Sequence, residues 1–236
     1  MPLETPTARA DRQRRQMRGA AAGVAAFLVS TASAGIAQAQ CEGEATFTVT
    51  FEPAWIEGVT QAPVPTNAHW SPMVVVTHAS PGDVFAVGGE ASPGIRSIAE
   101  TGATVTAKSE LDVLFDSDVV RAYRTGSRLD AVGASCVTLS AAPDRALLTM
   151  ISMVAPSPDW FVGVEGVALC DGAQWVAGLE LPLLAQDAGT DSGTAFAAPN
   201  LPTQPQQAIA YLDTALERTL RAADAAVFGT LRVKRN

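Results

Sequence analysis

The sequence predicts an all-β fold, a sandwich or barrel with one or two helices. Two observations carry this: many short segments have β-type patterning, and turn residues recur between them at short intervals. Ala45 to Phe51 alternates, with Thr46, Thr48 and Thr50 on one face and Phe47, Val49 and Phe51 on the other, as in a half-buried strand. Met73 to Thr77 is a β-branched run suited to a strand covered on both sides, and Asp83 to Val87 is a weaker strand. Ser92-Pro93 supplies an N-cap and a proline at the first helical position. Ile95, Ile98 and Ala99 then share a face, and Gly102 ends the helix. Leu147 to Val154, Phe161 to Leu169 and Trp175 to Leu184 read as strands. Ser80-Pro81-Gly82, Gly88-Gly89 and Asp171-Gly172 mark turns. Ala195 to Gln206 is a proline-rich loop. A second helix is expected from Gln206 to about Val227, where Ile209, Leu212, Leu216, Leu220 and Ala223 share a face; Phe228 to Arg235 is extended again.

The first 39 residues read as a secretory signal peptide, leaving one domain over 40–236. Arg9, Arg12, Arg14, Arg15 and Arg18 form a basic head, Ala20 to Val29 an apolar middle, and Ala37-Gln38-Ala39 a small-residue exit. No later segment approaches a transmembrane span, so the exported product is expected to be soluble, periplasmic or secreted. The chain carries a net charge of −8. The leader holds five arginines against Glu4 and Asp11, a net +3, so the remainder carries −11. Such a chain lacks the basic face a general nucleic-acid binder needs, and leaves cation binding open. Export places Cys41, Cys136 and Cys170 in an oxidising compartment, where any one of three pairs is open to a disulfide. No Cys-x-x-Cys occurs, so a structural zinc site is unsupported.

Residues 155 to 200 hold the chemistry. Asp159 stands at a strand entrance behind Pro156 and Pro158, while Asp187 and Asp191 share a tight loop with Gly189 and Gly193. If a sandwich brings these loops together, three carboxylates meet at one end. Like charges about 4 Å apart repel by roughly 4 kcal/mol at an effective dielectric of ~20. A cation relieves that, and Ca²⁺, which takes oxygen ligands in flexible geometry, suits best. Rival chemistry is less well supplied. Asp191-Ser192-Gly193 is shared with the nucleophile motif of trypsin-like proteases, but Thr194-Ala195 stands where Gly-Pro is usual, and only His69 and His78 are available as bases. Asp187-Ala188-Gly189-Thr190 is shared with the aspartic-protease loop but lacks the hydroxyl at position 188. Both histidines are expected to position loops by hydrogen bonds. Trp55, Trp70, Trp160 and Trp175 are expected as core aromatics, with Trp160 packed under the acidic loop.

The chain resembles the spondin amino-terminal domain, the module shared by F-spondin, mindin and many bacterial secreted proteins. The motifs run in family order over most of the mature chain. Cys41 is followed by Phe47-Thr48-Val49-Thr50-Phe51 and Trp55, then His69-Trp70-Ser71-Pro72, His78, Gly88-Gly89, Ala91-Ser92, Gly94, Ala99-Glu100 and Gly102. Pro156-Ser157-Pro158-Asp159-Trp160 with Val162-Gly163, and Asp187 to Gly193 with Pro199-Asn200, match closely. The resemblance implies an eight-stranded antiparallel β-sandwich, similar to Ca²⁺-dependent phospholipid-binding domains, with one calcium ion at one end. It maps the ligands onto Asp159, Asp187 and Asp191, and the family disulfide onto Cys41 and Cys170. Cys136 has no counterpart and is expected as a buried thiol. The family often has tryptophan where Gln186 stands, and the helical stretch 206–227 is poorly matched. The expected function is non-catalytic: a secreted calcium-binding module for interaction or adhesion, with an unknown extracellular or cell-surface partner. A calcium-dependent lipid- or glycan-binding module is the alternative, and a secreted hydrolase is less favoured.

Overall fold

The structure, a computed structural model, describes residues 41–58, 63–212 and 227–236. Residues 1–39, the expected signal peptide, and residues 213–226 of the second expected helix lie outside the described residues. In chain order the strands are β1 (Ala45–Pro53), β2 (His69–Trp70) and β3 (Val74–His78), then helices α1 (Pro93–Thr101) and α2 (Val105–Asp116). There follow β4 (Val120–Thr125), β5 (Leu129–Asp130), β6 (Ser135–Ala141), β7 (Leu147–Ala155), β8 (Trp160–Ala168), β9 (Cys170–Asp171) and β10 (Gln174–Trp175). The last are β11 (Gly178–Leu183), β12 (Ala185–Asp187), β13 (Ala210–Tyr211) and β14 (Gly229–Arg235). No helix among the described residues is long and apolar enough to cross a membrane.

Two antiparallel sheets form the expected sandwich. One is ordered β11-β14-β1-β6. In the other, β7 is central: β8, β12 and β13 extend from one side, while β2 and β3 lie along the opposite side, β3 carrying β4. Eight strands have five residues or more, and they divide four and four between the sheets.

The alternation of β1 fixes its register. Phe47, Val49 and Phe51 are fully buried, and each such side chain contributes roughly 1.5–3 kcal/mol. A slip of one residue would expose all three. They meet Val75, Met150 and Val162 of the second sheet in one core cluster. The other face of that sheet is also covered. Val74, Val76, Ile151 and Phe161 pack with Ile95 and Ile98 of α1 and Leu111 of α2. This second layer accounts for the continuously buried β3.

Helix α1 begins and ends as the sequence predicts. Ser92 Oγ accepts a hydrogen bond from Ile95 N at 3.2 Å, and Gly102 closes the helix at φ 71°. The N-terminus gains a second cap from α2: Glu110 accepts from Gly94 N at 2.8 Å and from Ser92 Oγ at 2.7 Å.

Several expectations are corrected. Asp83 to Val87 is no strand. Turns at Ser80–Asp83 and Ala86–Gly89 bracket it; Phe85 is buried in the core and Val84 and Val87 pack partly buried against it. Gln206 to Leu212 is extended rather than helical, with β13 pairing β12. Trp175 to Leu184 is interrupted between β10 and β11. Helix α2 was not anticipated, because Val105, Val113 and Phe115 are exposed and dilute its apolar face.

Cys41 and Cys170 are joined by a disulfide, Cα to Cα 5.9 Å. Cys136 is free and exposed, not buried. Strand parity is the reason: Ser135, Leu139 and Ala141 point inward, so Cys136 shares the outer face with Thr138, opposite Thr50. A maleimide reagent is therefore expected to label the native, unreduced protein at one thiol without denaturant. Labelling only after unfolding would contradict the exposed position.

Candidate metal centre

Pairing of β8 with β12 sets Asp187 opposite Trp160, one residue from Asp159. Ala188 N then donates to Asp159 O at 3.2 Å, bringing loop 187–193 over the start of β8. A second segment runs beside this loop, with bonds from Gln207 N to Gly189 O, Thr203 N to Thr190 O and Ser192 N to Leu201 O, each 2.9 Å. Gly189 is required at its position. Its φ is +72°, and a Cβ there would stand 2.3 Å from Gln207 O. Gly189→Ala is expected to lose about 1–3 kcal/mol or more in a urea melt. An unchanged midpoint would show the loop to be slack.

Asp159 is fully buried. Its Oδ2 accepts three hydrogen bonds, from Thr190 N at 2.7 Å, Asp191 N at 3.0 Å and Thr190 Oγ1 at 3.1 Å. Its Oδ1 is buried with no partner. Asp187 Oδ1 accepts from Gly189 N at 2.7 Å. Asp191 accepts through both oxygens, from Gly193 N at 2.7 Å and Leu201 N at 2.8 Å.

The electrostatics show that these groups feel one another. Burial raises the Asp159 pKa, opposed by its three donors, and the Asp191 charge raises it further. Asp187 is pushed up to about 6, first by burial and then by the Asp159 charge. The Gly189 amide and the Trp160 indole oppose that shift, although Trp160 Nε1 forms no hydrogen bond. Among the described residues, no three His, Cys, Asp or Glu side chains are drawn close enough to one point to hold a metal as they stand. All three carboxylates are instead turned onto loop amides, and Asp159 keeps one buried oxygen without a partner.

Around the loop, Trp160 is buried and lies edge-on to Phe196 at 5.4 Å; Phe196 in turn meets Trp55 at 4.9 Å. Trp55 and Trp70 are buried as expected, and Trp175 is half-buried against Phe47. Gln186 is buried, donating to Gly163 O at 3.1 Å while its Oε1 has no partner. Ser192 Oγ donates to Leu201 O at 3.1 Å. His69 Nδ1 lies 2.7 Å from Asn67 O. His78 sits between Ser80 O at 3.0 Å and Thr149 Oγ1 at 2.8 Å, and burial lowers its pKa. Both histidines are therefore engaged locally. The free Asp159 oxygen and the part of Thr190 had no signature in the sequence pattern, since both depend on which way a side chain turns.

The family model Spondin_N matches residues 45–223. Spondin-1 of Homo sapiens is 33% identical over 174 residues, which is 71% of this chain and 22% of that protein. Spondin-2 of Rattus norvegicus is 29% identical over 170 residues, 70% of this chain and 52% of that protein. The chain thus spans about half the length of Spondin-2 and about a fifth of Spondin-1.

Proposed function

Because the chain belongs to the Spondin_N family, we propose that it is a secreted, calcium-binding, non-catalytic module for interaction or adhesion outside the cell. One observation carries the calcium reading. A fully buried carboxylate, Asp159, is held by three donors on one oxygen and presents the other to no partner. A buried, unpartnered oxygen beside a second carboxylate costs free energy unless a cation is available to it. Asp159, Asp187 and Asp191 would hold the ion, which supplies charge neutralisation between the strand start and the loop. Asp187 and Asp191 each retain acceptor capacity after their amide bonds, because a carboxylate oxygen accepts more than one contact.

Export is supported by the basic-then-apolar leader and by the Cys41–Cys170 disulfide, which suits an oxidising compartment. A non-catalytic role is favoured because Ser192 donates to a backbone carbonyl while the His78 ring is occupied by Ser80 O and Thr149 Oγ1, so no histidine addresses Ser192.

Calorimetric titration of the EDTA-treated protein with calcium tests the site. One ion per chain should bind, in the range of 10⁻⁴–10⁻³ M found for extracellular modules. No saturable heat up to tens of millimolar would overturn the calcium reading. Adhesion is tested separately: immobilised protein should retain cells in millimolar calcium and release them in EDTA.

A further inference from the structure

A groove of about 340 Å³ lies between the two helices and the outer face of the second sheet, away from the acidic loop. Val74 of β3 and Ile151 of β7 form its floor. Ile95 and Ile98 of α1 and Leu111 of α2 form its walls. Where α1 starts, the helices cannot approach further. A Cβ on Gly94 would stand 2.6 Å from Ala107 Cα, and Glu110 of α2 is bonded to the first turn of α1. The groove is therefore built by a fixed helix contact beside it. At its rim Val113 is 67% exposed.

Its polar groups all have one character. Ser92, Asp83 and Glu110 line it, with no lysine or arginine. Asp83 Oδ2 accepts from Ser80 N at 2.6 Å, while its Oδ1 makes no hydrogen bond among the described residues. Glu110 is held in place by its two bonds to the start of α1 and can accept another at each oxygen. Apolar walls of this size with a few fixed polar groups are the usual form of a small-molecule site. Asp83 has the His78 ring 3.5 Å from its Oδ2, but burial favours the neutral form of that histidine, so two carboxylates with no lysine or arginine in the lining select the charge of the occupant.

We propose that this groove binds a small amphiphilic amine, its apolar chain or ring along Ile95, Ile98 and Leu111 and its ammonium at Asp83 and Glu110. An anionic amphiphile such as a fatty acid would set like charges together and is selected against.

Decylamine, decanol and decanoate, each below its micelle concentration, test the proposal by calorimetry in calcium-free buffer, where decanoate stays in solution. Decylamine is expected to bind at one per chain, at least tenfold more tightly than decanol or decanoate. Asp83→Asn and Glu110→Gln should each weaken the amine by several-fold and leave decanol unchanged. Asp83→Asn is the safer variant, because it leaves the α1 cap intact. Val113→Trp at the exposed rim should abolish binding of both while the far-UV spectrum and melting temperature stay as in the parent. Equal binding of decylamine and decanoate, binding unaffected by Val113→Trp, or no saturable binding of the amine would each overturn the proposal.

Discussion

Asp159→Asn is expected to abolish the calcium-induced rise in melting temperature while leaving the metal-free protein as stable as the parent, or more so. The two halves of this result have one cause. Asparagine keeps an oxygen to accept from Thr190 and Asp191, and removes the charge that burial and Asp191 penalise. Its amide N–H₂ then takes the place of the unpartnered Oδ1, near Asp187. In the parent, calcium at about 100 times its Kd should add about 2.7 kcal/mol. For a domain of this size that is roughly 5–10 °C in Tm. In the variant the rise should fall to the experimental error. Thr190→Val, which removes one of the three donors, should weaken calcium binding less, and Thr190→Ser should restore it. If Asp159→Asn melts several degrees lower in EDTA, the carboxylate is a structural loop anchor and the metal reading fails. The pH dependence provides an independent check. The folded Asp187 carboxyl stands at about 6, above an ordinary 3.8, so the metal-free native state binds more protons between those values. The resulting stability is present below about pH 4 and lost as pH rises through about 6, at most about 3 kcal/mol in all. In Asp159→Asn one cause of that shift is gone, and the loss on raising pH should shrink.

Much of the fold was legible because its signals are local. Phe47, Val49 and Phe51 alternate with threonines, and the strand is buried on one face. Ser92, Pro93 and Gly102 mark both ends of α1 by chemistry that acts within a turn. The failures come where distant packing decides. Ile209 and Leu212 are three apart, which on a helix would set them on one face. In the extended segment they face opposite ways: Ile209 joins the layer under the helices and Leu212 the core between the sheets. Helix α2 was missed for the converse reason. Only Ala107 and Leu111 are buried, and the groove lined by Val113 and Leu114 leaves its apolar residues without the cover that would make the pattern regular. The acidic loop stood out through the motif Asp187 to Gly193 shared with the spondin family, since the spacing of Asp187, Gly189, Asp191 and Gly193 by itself is also that of an ordinary turn. That one Asp159 oxygen would be saturated and the other free follows only from the crossing of two loops.

Replacing both members of the disulfide, Cys41→Ala with Cys170→Ala, is expected to cost more than any single substitution at the acidic loop. The bond closes a loop of 129 residues, to which the chain-entropy model assigns about 4–5 kcal/mol. It ties the segment preceding β1 of the first sheet to β9, which follows β8 of the second. The same segment is held by Trp175 Nε1 donating to Glu42 O at 3.2 Å, with Trp175 in turn edge-on to Phe47. These contacts depend on the N-terminal segment staying in place, so removing the bond should free them as well. A fall in Tm of about 10–20 °C is expected from a urea or thermal melt. The two ends of β8 make this result informative about the other prediction. Trp160 opens β8 beside the acidic loop and Ala168 closes it beside Cys170, nine residues that span about 25 Å. Sites that far apart with no shared partner should act independently. The calcium-induced rise in stability should therefore survive in the cysteine-free protein with its size unchanged, even though the protein starts from a much lower Tm. Loss of the calcium response together with the disulfide would mean that the two ends of the sandwich are energetically coupled. The acidic loop would then depend on the whole sheet for its shape rather than on its own glycines and amides.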